Sequence, residues 1–243
     1  MSPRTERLVA ATAHATAGVT ERIGEQVRET LDEVKPRLRG WIHAGTAPLA
    51  LAAGIVLVAL SPTVATRVGS AVFATSALLL FTVSAIYHRG TWSPRVWRFL
   101  RRFDHANIFV LIAGSYTPFT LLLLEGRERM VLLSVVWTGA LLGVGFRVFW
   151  NDAPKWLYVP VYMSLGWAAL FYLGDFAQTA STAVLVLMAL GGGLYTLGGV
   201  VYGVKRPNPF PRWFGFHEVF HTLTIAAFGS HYVGVMMATS SLR

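Results

Sequence analysis

Seven apolar stretches of about 20 residues each recur along the chain, and they constrain the fold more than any other feature. A helix needs about 20 apolar residues to cross the hydrocarbon layer of a bilayer. Because lipid offers the backbone no hydrogen-bond partners, stretches of this kind must be helical. The sequence therefore predicts an all-α integral membrane bundle of seven transmembrane helices. The predicted spans are residues 41–60, 67–88, 104–124, 130–150, 155–173, 182–202 and 214–237.

The composition agrees with a membrane protein and narrows the possible chemistry. Charged residues make up 14% of the chain, compared with about 25% in soluble domains. In a soluble protein the net charge of +9 would indicate nucleic acid, but in a chain with seven predicted spans we expect no such partner. The chain has no cysteine, so a metal site must use His, Asp or Glu.

The basic residues are distributed unevenly between the two sides of the predicted bundle. Of the 21 Lys and Arg, 17 fall in the N-terminal segment and the alternate connections that share its side, and 4 fall on the other side. Basic residues are enriched on the cytoplasmic side of membrane proteins. This bias predicts a cytoplasmic N-terminus, an external C-terminus and a multi-pass protein of the plasma or inner membrane.

The first 40 residues differ from the rest of the chain. They are polar, with seven Lys or Arg and six Asp or Glu. Apolar residues recur among them at intervals of three and four, which is the period of an amphipathic helix. We therefore divide the chain into a cytoplasmic N-terminal segment, 1–40, and a seven-helix membrane domain, 41–243. The apolar residues that set the period are Val19, Ile23, Val27, Leu31, Val34 and Leu38.

Histidines and one aspartate gather at a single predicted side of the membrane. The last span opens with FHEVFH, which places His217 and His221 one turn apart on one helix face. In the predicted orientation, His88 ends the second span and Asp104 begins the third on that same cytoplasmic side. Ser84 lies one turn deeper than His88 on a shared face. Ionisable residues in membrane spans are costly and usually functional, so these five residues form one candidate site.

Three imidazoles with one open position are a usual ligand set of catalytic zinc. We therefore predict Zn²⁺ bound by His88, His217 and His221. Zinc polarises carbonyls and activates water, so the predicted chemistry is hydrolysis of an amide or ester in a membrane lipid. Asp104 is predicted either to orient the water on the zinc by a hydrogen bond or to act as its general base, and Ser84 is predicted to hydrogen-bond the water or the substrate oxygen. A structural zinc that ties three helices together, and a packing role for Ser84, are the alternatives.

The other histidines are weaker candidates. His231 follows His217 by 14 residues, about 21 Å along a helix, which is too far for one metal site. A polar contact in the outer half of the bundle is predicted for it, with a proton path as the alternative. For His105 an interfacial role is favoured over metal binding. His43 shows no convergent pattern, and Glu218 points away from the face that carries the two histidines.

Glycine and proline within the spans are predicted to serve packing. The stretch Leu111–Phe119, LIAGSYTPF, places small residues and Pro118 in the middle of the third span. It is typical of close helix contact with a proline distortion, and a pocket-lining role is the alternative. The glycines at 191–193 and 198–199 of the sixth span are likewise predicted to form a packing seam. A phosphate-binding loop is disfavoured there because no strand precedes them.

The segments SAIYH, FDHANIFVLIAGSYTPF and HEVFHTLTIAAFGSHYVGV, together with PRLRGWIHAGTAPLALAAG, resemble the bacterial hemolysin III branch of the progestin and adipoQ receptor family. The likeness covers roughly residues 35–237. It implies a seven-helix fold with a cytoplasmic N-terminus and a zinc held by His88, His217 and His221. It also implies that Asp104 contacts a water on the zinc. The same resemblance implies that Ser84 belongs to a set of residues shared with alkaline-ceramidase-like membrane hydrolases.

The function predicted first is a zinc-dependent lipid amide or ester hydrolase, or a membrane-lipid homeostasis factor that uses this chemistry. A pore-forming cytolysin and a receptor-like protein with a structural zinc are the alternatives, since the family includes members described in these ways. A retinal protein is excluded because no lysine follows Lys205. A haem held by two histidines is disfavoured because His217 and His221 share one helix face. The substrate and the oligomeric state are left open.

Overall fold

The computed structural model describes residues 36–150 and 153–242, without the side chain of Lys155. From Leu38 onward, the described residues form one structural unit, and the helices and contacts of the fold belong to it. Most of the predicted N-terminal segment lies outside the described residues, so its amphipathic helix stays a prediction.

The described residues form eight α-helices and one 3₁₀ helix, with no β-sheet among them. The 3₁₀ helix Trp167–Tyr172 joins two of the α-helices into a single span. The α-helices are α1 Trp41–Leu60, α2 Val64–Arg89, α3 Pro94–Leu123, α4 Gly126–Phe149, α5 Lys155–Gly166, α6 Leu173–Thr179, α7 Thr182–Val204 and α8 Phe216–Ser240.

Six helical segments in the described part of the chain are long and apolar enough to cross a membrane. The fifth of them, Trp156–Thr179, combines α5, the 3₁₀ helix and α6. Helix α8, the seventh predicted span, is 25 residues long, but its histidines and Glu218 lower its hydropathy. It nevertheless packs along α7 and contacts α1, α2 and α3, so it is part of the bundle. The predicted all-α membrane bundle is confirmed.

Small residues let neighbouring helices approach closely. Gly114 on α3 lies directly against the Ser76 side chain of α2, where any Cβ would overlap it. A Cβ on Gly69 would lie 2.9 Å from the Cα of Pro118, which is too close. The close packing predicted for Leu111–Phe119 is therefore confirmed. Helix α3 runs through Pro118 without a break.

Helix α3 is longer than predicted, because it begins at Pro94 and spans 30 residues. Proline favours the first turn of a helix, where its missing N–H costs nothing. The arginine-rich turns that follow can be helical in water or among headgroups, which an apolar span criterion does not detect. The apolar run predicted that Asp104 begins this helix. Because α3 begins at Pro94, Asp104 lies about three turns inside it instead.

The fifth span is broken in its middle, and a tyrosine from α3 binds the backbone groups at the break. Helix α5 ends at Gly166, and the Tyr116 hydroxyl donates to the Gly166 carbonyl at 2.6 Å. The same hydroxyl accepts from the Ala169 amide at 2.8 Å. Backbone groups freed from a helix within a membrane need such partners. Tyr116 thus stabilises the irregular segment between α5 and α6.

We expect Tyr116→Phe to lower the free energy of unfolding by about 1–3 kcal/mol, since two hydrogen bonds to backbone groups are lost together. Unfolding of the purified protein in detergent would measure the change. Tyr172→Phe is the control, because it removes a tyrosine hydroxyl from the same irregular segment and leaves the two Tyr116 hydrogen bonds in place. Equal stability of the two variants would show that Tyr116 does not support the break.

Candidate metal centre

Three histidines from two helices meet at one end of the bundle. His88 lies at the end of α2, and His217 and His221 lie in the first two turns of α8. Each offers one ring nitrogen, and these nitrogens all lie within 4.8 Å of one another. The predicted convergence of the three imidazoles is therefore present in the fold.

The helix register and the start of α8 explain this convergence. The four-residue spacing stacks His217 and His221 on one face of α8, with ring centroids 4.5 Å apart. The helix begins after Gly215, whose amide donates to the Glu218 carboxylate at 2.9 Å in a capping interaction. The His88 ring meets the His217 ring edge-on, with an interplanar angle of 80°.

The donor geometry suits a divalent metal. In tetrahedral zinc sites, Zn–N bonds of about 2.0–2.1 Å place neighbouring histidine nitrogens about 3.3 Å apart. The Nε2 atoms of His88 and His217 are 3.2 Å apart. A nitrogen of His221 lies within 4.8 Å of both, so the three donors are close enough to share one ion. The residues present therefore fit a three-histidine metal site.

Asp104 and Ser84 lie beside these histidines. The Asp104 carboxylate oxygen Oδ2 lies 3.8 Å from His88 Nε2, which is beyond hydrogen-bonding distance. The Ser84 side chain lies beside the Asp104 carboxylate and interacts with it. A carboxylate at this distance can accept a hydrogen bond or a proton from a water molecule held between it and the histidines. Ser84 contacts the carboxylate, an arrangement the sequence prediction did not include.

His43 is a further residue of the centre that sequence reasoning missed. It lies in the first turn of α1, is buried, and stacks face to face on His221 with ring centroids 3.8 Å apart and an interplanar angle of 15°. Its position along the membrane normal could have identified it, because the predicted topology places the start of the first span on the same side of the membrane as His88. The helical spacing gave no signal, because His43 has no partner on its own helix.

An ion pair holds the start of α8 against the residues that precede α1. Glu218 is fully buried, and its Oε1 accepts from Arg39 Nε at 2.9 Å. Gly40, which follows Arg39, has φ +81°, and a Cβ at Gly40 would lie 2.9 Å from the His88 Cβ. Only glycine adopts this conformation readily and permits this approach. The residues before α1 therefore lie directly on the histidine cluster.

We expect Glu218→Ala to lower the free energy of unfolding by about 2–4 kcal/mol, because it leaves the Arg39 charge without its buried partner. We place the loss at the lower end, because the Arg39 side chain is 19% exposed and part of its charge is solvated. Denaturant unfolding in detergent would measure it. Glu218→Gln is the matched control, since an amide oxygen can still accept from the Gly215 amide. A neutral effect of the alanine substitution would contradict the role of the pair.

A largely apolar cavity of about 410 Å³ adjoins the histidine cluster. Its volume falls in the usual range for small-molecule sites. Side chains of the broken fifth span line one wall. Residues that line the polar end include Ser84, Asp104, His217 and His221, and residues that line the apolar part include Ile112, Phe119, Leu170, Leu173 and Leu185.

The remaining predicted residues lie apart from the three nitrogens. His105 binds the Arg101 carbonyl through Nδ1 at 2.7 Å and the Tyr202 hydroxyl through Nε2 at 3.3 Å. His231 contacts the Met188 carbonyl on α7, as predicted for a polar contact in the other half of the bundle. Gly191 lies against the His231 ring, and the predicted glycine packing seam is confirmed at that position.

Comparison with known proteins agrees with this architecture. Residues 31–232 match the Haemolysin-III related family. The chain is 34% identical to the Hemolysin-3 homolog of Bacillus subtilis (strain 168) over 154 residues, 63% of this chain and 69% of that protein. It is 27% identical to Hemolysin-3 of Bacillus cereus over 184 residues, 76% of this chain and 84% of that protein.

A likeness to an animal receptor extends the relationship. The chain is 31% identical to the adiponectin receptor protein of Drosophila melanogaster over 162 residues, 59% of this chain and 36% of that protein. The predicted resemblance is thereby confirmed. The family match and the six apolar helices among the described residues together identify a multi-pass membrane protein. The chain belongs to the Haemolysin-III related family, and it is similar to bacterial hemolysin-3 proteins and to an animal adiponectin receptor.

Proposed function

We propose that this protein is a zinc-dependent membrane hydrolase that cleaves an amide or ester bond in a lipid. The observation that carries the proposal is the position of three convergent imidazoles and one carboxylate at the polar end of an apolar cavity. A lipid has both parts that this arrangement would bind, a polar scissile bond and an apolar chain.

The metal is proposed to be zinc because the donor set consists of neutral imidazoles. Histidine nitrogens suit zinc, whereas calcium and magnesium prefer oxygen ligands. When bound, zinc supplies Lewis-acid polarisation of a carbonyl and activation of water near neutral pH. His88, His217 and His221 would hold it.

Asp104 is proposed to be the general base. Its carboxylate lies close to the three imidazoles without belonging to their group, so it can accept a proton from an attacking water. The water adds to the carbonyl carbon, the C–N or C–O bond breaks, and the leaving amine or alcohol receives the proton. The products are a fatty acid and an amine or alcohol. Ser84, which interacts with the Asp104 carboxylate, is proposed to hold it in position.

The cavity supports a substrate with a long apolar chain. Phe119, Leu173 and Leu185 lie along its apolar part, and no Lys or Arg is among the described residues that line it. An acyl chain that enters the cavity from the bilayer exchanges one apolar environment for another, so this lining accommodates it without burying an unpaired polar group. A headgroup at the histidine end would remain near the cytoplasmic boundary in the predicted orientation.

Release of fatty acid by purified protein tests the proposal. The protein would be reconstituted in nanodiscs, loaded with one equivalent of zinc, and incubated with N-acylsphingosine or with a diacyl phospholipid. We expect free fatty acid from at least one of the two, and restoration of activity by zinc after chelator treatment. Fully zinc-loaded protein that releases no fatty acid from either lipid class would overturn the hydrolase proposal.

The names of the two Bacillus relatives point to a second candidate, a cytolytic protein. A pore through the bundle would need polar residues along its whole length. In the described part of the chain, the ion-pairing and convergent histidine side chains lie instead at one end of the bundle, beside a cavity with a largely apolar lining. Ion conductance in planar bilayers that persists in a His217→Ala variant would favour the cytolytic candidate over the hydrolase.

A further inference from the structure

The cavity contains a second polar position, far from the metal centre, that neither the predicted zinc site nor the proposed chemistry uses. We infer that His231 and Tyr195 form a subsite for a hydroxyl group in the middle of the bound acyl chain. The inference rests on the proposed function, because it takes the occupant of the cavity to be an acyl chain. It adds that the protein selects chains that carry a neutral hydrogen-bond donor at one place.

His231 is fixed against α7 by its backbone contact and by a glycine. Its Nε2 lies 3.3 Å from the Met188 carbonyl oxygen. Gly191 lies under the ring, and a Cβ at that position would overlap the ring atoms of His231. The ring of Phe119 meets it edge-on at 5.6 Å between centroids. The imidazole is thus held in one orientation.

The contact with Met188 determines which ring nitrogen can bind a ligand. A carbonyl oxygen only accepts, so Nε2 must carry the proton and donate. In the neutral ring, Nδ1 is then an acceptor. Nδ1 of His231 is buried and has no hydrogen-bond partner among the described residues. Since a buried acceptor without a partner is costly, a ligand that donates to Nδ1 would stabilise this arrangement.

The surroundings select a neutral hydroxyl rather than an ion. Tyr195 on α7 lies edge-on to His231 with centroids 5.6 Å apart, and its buried hydroxyl has no hydrogen-bond partner among the described residues. Ser115 on α3 lies nearby, and its hydroxyl donates to the Leu111 carbonyl. All three side chains line the cavity. No Lys or Arg is among the described residues that line it, so a carboxylate or phosphate would be bound there without a counter-ion. A hydroxyl can donate to the imidazole and accept from the tyrosine.

The position of the subsite specifies where on the chain the hydroxyl should lie. His231 follows His221 by ten residues on α8, which is about 15 Å along the helix axis. An extended chain advances about 3.6 Å for every three bonds. With a carbonyl carbon at the histidine cluster, this distance corresponds to about 12 bonds and therefore places roughly carbons 12 to 14 beside His231.

Binding of free fatty acids tests the inference without requiring turnover. Zinc-loaded wild-type protein in nanodiscs would be titrated with octadecanoic acid, 12-hydroxyoctadecanoic acid and 2-hydroxyoctadecanoic acid, with displacement of a fluorescent fatty acid as the readout. We expect the 12-hydroxy acid to bind about tenfold more tightly than the other two, since one hydrogen bond to a buried acceptor is gained. Two variants, His231→Phe and Gly191→Ala, should each remove the preference, the second by displacing the ring without changing its chemistry.

The outcomes separate this inference from the proposed function. If no fatty acid displaces the probe, the acyl-chain cavity and the proposed function fail together. If all three acids bind wild-type protein equally, the subsite is wrong while the hydrolase proposal stands. A preference for the 12-hydroxy acid that survives in Gly191→Ala and His231→Phe would also overturn the assignment to His231. If His231→Phe does not fold, Gly191→Ala and the wild-type preference decide the question.

Discussion

His217→Ala is expected to reduce the zinc content of the purified protein from about one ion per chain to almost none. The nitrogen of His217 lies 3.2 Å from that of His88, so its loss leaves two donors where three converge. Removing groups that merely orient metal ligands weakens binding by about 10- to 100-fold, and loss of a ligand should exceed the upper end of that range. Elemental analysis by mass spectrometry and competition with a chelator would measure the change.

The matched control for this variant is His105→Ala. His105 also lines the cavity, but its ring nitrogens bind the Arg101 carbonyl and the Tyr202 hydroxyl rather than the other histidines. Its replacement should leave the zinc content unchanged. Wild-type protein purified without any divalent metal, or a His217→Ala variant that retains a full equivalent of zinc, would contradict the metal centre.

For Asp104→Asn we expect the opposite combination, in which zinc remains bound and hydrolysis is lost. Positioned general bases contribute about 10²- to 10⁴-fold to rates, and an amide of the same shape cannot accept the proton. Because Asp104 Oδ2 lies 3.8 Å from His88 Nε2 and the carboxylate is not one of the three convergent donors, metal binding should persist.

Measuring turnover and zinc content on the same preparation distinguishes the possible roles of Asp104. Loss of fatty-acid release at full zinc occupancy supports the general base. Loss of zinc together with activity would make Asp104 a metal ligand instead. Unchanged hydrolysis would remove it from the reaction. The Ser84→Ala variant allows a graded comparison, because it keeps the carboxylate and deletes only the Ser84 hydroxyl that interacts with it.

The membrane fold and the histidine trio could be predicted from the sequence because both depend on short-range patterns. Runs of apolar residues determine the helices, and the four-residue spacing of His217 and His221 determines their shared face. His88 could be added because charge placement fixed which helix ends share a side. A single sequence contains no direct information on contacts between helices. The predicted membrane side of each helix end was used instead to infer that these histidines lie close together.

The remaining features depend on contacts between distant segments. His43 stacks on His221 across 178 positions of the chain, and no local period relates them. The Arg39–Glu218 pair joins the residues before α1 to α8 in the same way. The break after Gly166 is stabilised by Tyr116, 50 positions earlier, so the local sequence alone does not specify it. The early start of α3 was missed because its first turns are too polar for a span criterion.

The three histidines of the candidate metal centre are synthesised at different times, and this order determines when the centre can form. His88 belongs to the second helix, whereas His217 and His221 belong to the last. A growing polypeptide therefore holds one of the three nitrogens once α2 is made and gains the other two only when α8 leaves the ribosome. The proposed zinc could be held by all three only after α8 has joined the bundle. Chains truncated before residue 217 keep only His88 of the three and should therefore not retain zinc.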